Sequence, residues 1–144
     1  MFGRELIQFC FRNETSIKRA IWESKLDNAT PKCPGHGSGI SKPTEIQAMK
    51  NLQPIYSVTV LGETIYYPEK WVRLISMTKA KFNHTVQGVI YHTEFQLNLA
   101  WRERKKKREE IMRKLNLERS RYYELRSGIV DYAENLKEEM GIKE

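Results

Sequence analysis

The chain is poor in the features that mark several protein classes. Two cysteines in 144 residues make no disulfide framework, which fits a reducing compartment. No apolar run approaches the roughly 20 residues of a membrane-spanning helix. The opening MFGRELIQFCFRNE carries Arg4, Glu5, Arg12 and Glu14 and lacks a long apolar stretch with a small-residue cleavage site, so it does not read as a secretory leader. The expectation is an intracellular protein without a membrane partner. A phosphate-cradling loop is missing too: GHGSG runs on into Ile-Ser-Lys-Pro and lacks the Lys-Ser ending of a P-loop. Cys10 and Cys33 have no local signature of a catalytic nucleophile. Cys33-Pro-Gly-His36 looks like half a metal site, with Cys10, His84 and His92 as further donors, but no second paired motif accompanies it. The sequence thus reads as no enzyme, with neither metal nor cofactor.

What the chain does have is charge. Hydrophobic residues make up 40% and charged residues 30%, with a net charge of +7. The mean hydropathy is −0.65 and the pI about 9.4. Between Arg102 and Arg121 stand ten Lys and Arg against four Glu, an excess of six that nearly equals the whole protein's. Charge so concentrated favours a polyanion, nucleic acid first and an anionic membrane surface second. The competing reading is a solvated helix face whose Glu and Lys pair at i,i+4.

Periodicity predicts a mainly α protein with one small β-hairpin and a C-terminal helix-turn-helix. Residues 1–27 form an N-terminal element in which Leu6, Cys10, Asn13, Ile17, Ala20 and Ser24 share one helical face over 4–26, widened by Phe9 and Ile21. This helix packs on the body or on a second subunit. Residues 28–43, rich in proline and glycine, are a loop or linker. In the body, 44–100, a helix runs from about Pro43 to Leu52. A hairpin over 55–67 follows, turning at Gly62-Glu63 as type II′, with Val60 opposite Ile65 and Val58 opposite Tyr67. Pro68 then opens a helix with an inward stripe of Trp71, Leu74, Ile75 and Thr78, and a further helix over 84–99 carries Val86, Ile90, Thr93 and Leu97.

In residues 101–144 a helix bearing Ile111 and Leu115 stops at Asn116, where the apolar period breaks, and a second helix runs over about 119–140. Its stripe is Tyr122, Leu125, Ile129, Tyr132, Leu136 and Met140. Ile111, Leu115, Leu117, Tyr122 and Leu125 would hold the two helices together. In such a motif the start of the second helix enters the major groove. Arg119, Ser120, Arg121, Tyr123, Glu124 and Arg126 are the candidate reading residues, by guanidinium, hydroxyl and carboxylate bonds to base edges, and Lys105, Lys106, Lys107 and Arg108 are candidate phosphate contacts.

The succession "SGISKPTE", "GETIYYPEKW" and "IMRKLNLERSRYYELRSGIV", over residues 37 to 141, resembles phage late-gene transcriptional activators of the RinA and ArpU type. Their C-terminal region is similar to the promoter-reading part of bacterial sigma factors. The resemblance implies a homo-oligomeric regulator in the cytoplasm of a bacterial host, acting on double-stranded DNA and on host RNA polymerase. Family members often start the recognition helix with Ser or Thr; here Glu118 stands there, a weaker cap and one that repels a nearby phosphate. A different class, a DNA-packaging component such as a small terminase subunit, would use the same helical motif to gather DNA.

Overall fold

Asn13 divides what the periodicity predicts as one helix. The computed structural model describes residues 1–29 and 54–142, and in it α1 (Gly3–Arg12) and α2 (Glu14–Ala29) meet at Asn13. Its side-chain Nδ2 donates to the Phe9 carbonyl at 2.8 Å, and its own backbone N–H donates to the same oxygen at 3.0 Å. Short amides compete with the helical ladder in this way, and the chain turns. Leu6, Ile7, Cys10 and Phe11 from α1 and Ile17 from α2 are buried in the chain's own core. Of the two roles read for this segment, packing on the body is the one observed.

The predicted helix over 44–52 and the loop with Cys33 and His36 lie outside the described residues. The hairpin is present as β1 (Ser57–Val60) and β2 (Glu63–Tyr66), but Val60 pairs with Glu63 and Val58 with Ile65. The turn residues are Leu61 and Gly62, both at positive φ (49° and 79°), as a type I′ turn needs rather than the II′ turn expected. The shift from the predicted register leaves each side chain on its face, so Val58, Val60 and Ile65 are all buried as the alternation requires. The strand β1 lies against α2, which covers that face.

Helix α3 (Pro68–Phe82) has Pro at its first position, and Trp71, Leu74, Ile75 and Thr78 are buried as the stripe predicts. Thr85 caps α4 (Val86–Tyr91) by accepting from the Gly88 N–H at 3.1 Å. A Cβ on Gly88 would meet the Phe82 carbonyl oxygen at 2.4 Å, so no larger residue fits that crossing. The helix expected over 84–99 is shorter and changes type: His92–Gln96 form a π-helical turn, closed by the Leu97 N–H on the His92 carbonyl at 3.0 Å. This turn buries three consecutive residues, Thr93, Glu94 and Phe95.

Two further helices, α5 (Trp101–Lys114) and α6 (Arg119–Met140), complete a mainly α fold with one two-stranded antiparallel sheet. Helix α6 packs on α1, α3 and α4 through Tyr122, Ile129, Val130, Ala133 and Leu136, so 101–142 shares one core with the rest of the described chain. Phe11 sits between the rings of Tyr91 and Phe95 (5.1 and 5.4 Å), and Phe82 meets Tyr132 at 5.4 Å. Arg4 reaches from α1 to Asp131 (2.6 Å) and Glu134 (3.4 Å) on α6. No described helix is long and apolar enough to cross a membrane.

Candidate nucleic-acid interface

Helix α5 is built largely from Glu, Lys and Arg, strong helix formers, and none of its residues is fully buried. It ends in a left-handed closure. Asn116 takes φ 53°, the Leu117 N–H donates to the Met112 carbonyl at 2.8 Å, and the Asn116 N–H to the Arg113 carbonyl at 3.3 Å. Met112 and Leu117, the two apolar residues this closure brings together, both pack on the core. Leu115, expected inside, is 41% exposed, because the closure ends the helix there, and it borders a groove; Leu125 is only partly buried. The two helices are therefore not held together by a Leu115–Leu125 contact. Helix α5 rests on the π-helical turn instead.

Beside the apolar packing of Ile111 and Met112, the contact is ionic. Glu94, fully buried in that turn, receives Arg108 through Nε (2.6 Å to Oε1) and Nη2 (2.9 Å to Oε2). The Tyr122 hydroxyl donates to Oε1 at 2.7 Å, and Arg126 Nε stands 3.4 Å from Oε2. Arg108 also donates to the Tyr123 hydroxyl at 2.8 Å, over whose ring it lies at 5.3 Å, and Arg126 lies 5.2 Å over the ring of Phe95. Burial pushes the Glu94 carboxyl up, but hydrogen bonds from Arg108 and Tyr122 and the charges of Arg108 and Arg126 outweigh it, and the net pKa is lowered. The same carboxylate holds Arg108 protonated far beyond its ordinary range, while burial and then the Glu94 bond raise Tyr122.

The residues expected to touch DNA are thus of two kinds. Arg108 is bonded to Glu94 and to Tyr123, while Arg126 pairs with Glu94 at 3.4 Å without a hydrogen bond. Arg119 and Ser120 are exposed at the start of α6, and Arg121 is exposed and paired with Glu124 at 3.1 Å. Glu118 is the residue before the helix, as predicted, and its side chain caps nothing. Lys105 lies 5.5 Å over the Trp101 ring; Lys106 and Lys107 are exposed. At about 100° per residue these three lysines spread over about 200° of helix, so one groove cannot take all of them.

No family model, curated protein or solved structure matches the chain.

Sequence reasoning overlooked Glu94, Arg12 and Arg104. A lone Glu inside VIYHTEFQL was the available signal, since a carboxylate in an apolar run needs cationic partners. Of the metal donors considered, Cys10 is sealed in the core, its thiol pushed up to about 12 by burial. His84 and His92 line an open groove of about 860 Å³ beside Lys79, Val86, Val89 and Leu115.

Proposed function

We propose that this protein binds double-stranded DNA through α5 and the first turns of α6, as a transcriptional regulator of the phage late-gene activator kind that its sequence resembles. The observation that carries the reading is the helix without a buried residue: α5 holds most of the chain's excess charge, is docked through Arg108, and leads within four residues into exposed Arg119, Ser120 and Arg121. Phosphate contacts fall to Lys105 or Lys107 with Arg102 or Arg113, and base contacts to Arg119 and Ser120. Arg121 must leave Glu124 to take part. The first amides of α6 have no side-chain cap, which leaves them for a phosphate oxygen.

Selection from random duplexes, followed by titration of the recovered site and a scrambled one at several salt concentrations, tests the reading. Lys105→Gln with Lys107→Gln should weaken both duplexes and lower the salt slope by up to about 0.9 per lost phosphate contact. Arg119→Ala should cost about 1–3 kcal/mol on the selected site and little on the scrambled one. Equal loss on both would make the N-terminal turn of α6 a charged handle and favour DNA gathering in packaging over promoter reading.

A further inference from the structure

Around the Glu94 carboxylate there is more cation than one acid neutralises. Arg108 and Tyr122 hold Oε1, and Arg108 also holds Oε2. Arg126 Nε is buried and makes no hydrogen bond, although it lies 3.4 Å from Oε2. Arg104 Nε is likewise buried without a hydrogen bond, and its Nη2 reaches only the Leu99 carbonyl at 3.2 Å. The last residue of α1, Arg12, makes no ion pair among the described residues. Arg12 is exposed at the end of α1, which packs against the π-helical turn; the preceding Phe11 touches the ring of Phe95, on which Arg126 lies. Burial lowers the Arg12 pKa, the neighbouring charges of Arg104 and Arg126 lower it further, and Glu94 offsets part of this. The acid among these charges is Glu94, whose oxygens Arg108 and Tyr122 already hold, so the buried N–H groups of Arg104 and Arg126 are left over.

We infer that Arg12, Arg104 and Arg126 form a phosphate-binding site, filled by a backbone phosphate of a duplex lying along α5. The identity of the filler rests on the DNA reading above; the site itself does not. Guanidinium groups match phosphate because their forked donors meet several oxygens at once, and a phosphate offers acceptors to three of them together. Arg108, locked by Glu94, forms the fixed side of the site. Arg12 joins α1 to it, so the N-terminal helix contributes to an interface otherwise made by the C-terminal pair.

The test uses the full chain, with Arg12→Gln and Arg104→Gln made singly and together; both leave the Glu94, Arg108 and Tyr122 contacts intact. Thermal melting is followed against inorganic pyrophosphate, with sodium chloride holding ionic strength constant, and duplex binding is measured against salt. Wild type should gain a saturable rise in Tm with pyrophosphate, and the double variant should lose it. Without anion and at low salt, the double variant should melt at or above the wild-type temperature, because repelling charges are gone. Its duplex salt slope should fall by about 0.9. Variants that melt below wild type, or a pyrophosphate response absent from wild type or undiminished in the variants, overturn the site and make these arginines packing residues. An unchanged duplex slope in the double variant, with duplex binding intact, overturns the backbone phosphate as its filler. A wild type that responds to pyrophosphate but ignores duplex supports the site and overturns the DNA reading.

Discussion

Among the described residues, two buried carboxylates join helices distant in sequence, and they are satisfied in different ways. Glu14, at the start of α2, takes Lys79 from α3, Lys18 one turn on at 3.1 Å, and Gln96 from the π-helical turn at 3.1 Å. Gln96 passes the network to the Tyr91 hydroxyl at 3.3 Å. Glu94 instead takes two planar guanidiniums and a phenol. The lysines at Glu14 keep 38% and 57% of their side chains exposed, whereas Arg108 and Arg126 keep 20% and 23%. Lysine is a flexible point charge that can return to water; a stacked, forked arginine cannot be moved without breaking several contacts. The first cluster is therefore an adjustable tie, and the second fixes the pose of α5.

The largest effect should come from Glu94→Ala, which leaves Arg108 and Arg126 partly buried and unpaired. A loss of about 3–5 kcal/mol in urea unfolding is expected, with reduced helical circular dichroism as α5 leaves the π-helical turn. Glu14→Ala should be milder, about 1–3 kcal/mol, since Lys18 and Lys79 can re-solvate and only Gln96 and Tyr91 lose their network. Equal losses would mean that the arginine cluster holds α5 no more rigidly than the lysines hold α2.

The pH profile sharpens the same contrast. Burial raises both carboxyls, but their cationic and hydrogen-bonding partners bring both pKa values below the ordinary one. A lowered folded value makes the contribution complete above the unfolded value of about 4.3 and lost as pH falls through the folded one. Tm should thus drop on the acid side below about pH 4, and the acid limb should flatten in each single variant. Tyr91 and Tyr122 are raised by burial, so their share is complete below about pH 10 and lost above it. An acid limb unaltered by Glu94→Ala would show that its carboxylate does not set the profile.

The smallest effect should come from Leu115→Ala, within about 0.5 kcal/mol, because that side chain lies on the open groove. A loss of more than about 2 kcal/mol, the range of a buried leucine, would put the inter-helix contact back where the sequence first suggested it.

Much of the fold was legible in the sequence where a local rule decides. Pro68 and the stripe from Trp71 to Thr78 define α3, Glu118 precedes α6, and the alternation over 58–65 gives the inward face of the hairpin. The register was missed because Gly62 suits either place in a two-residue turn. Asn13 continues the helical stripe in spacing while breaking the ladder by its side chain, which periodicity cannot register. At the candidate site the charge was visible but its use was not. The partners of Glu94 lie at 108, 122 and 126, and only tertiary packing reveals that Arg108 and Arg126 are tied inward while Arg119 and Ser120 face out.

The helix without a buried residue has a consequence for motion. Arg104 to Arg108 is an unbroken run of five cations, and like charges three and four apart oppose helix formation. A 14-residue helix is near the length below which an isolated helix is marginal in water. Anchored near its middle by Arg108 and by Ile111 and Met112 on the core, α5 leaves its first turn exposed, where bound counterions would favour the helix. Under the DNA reading proposed above, ordering of that turn and capture of the duplex would be one equilibrium, on which ionic strength acts.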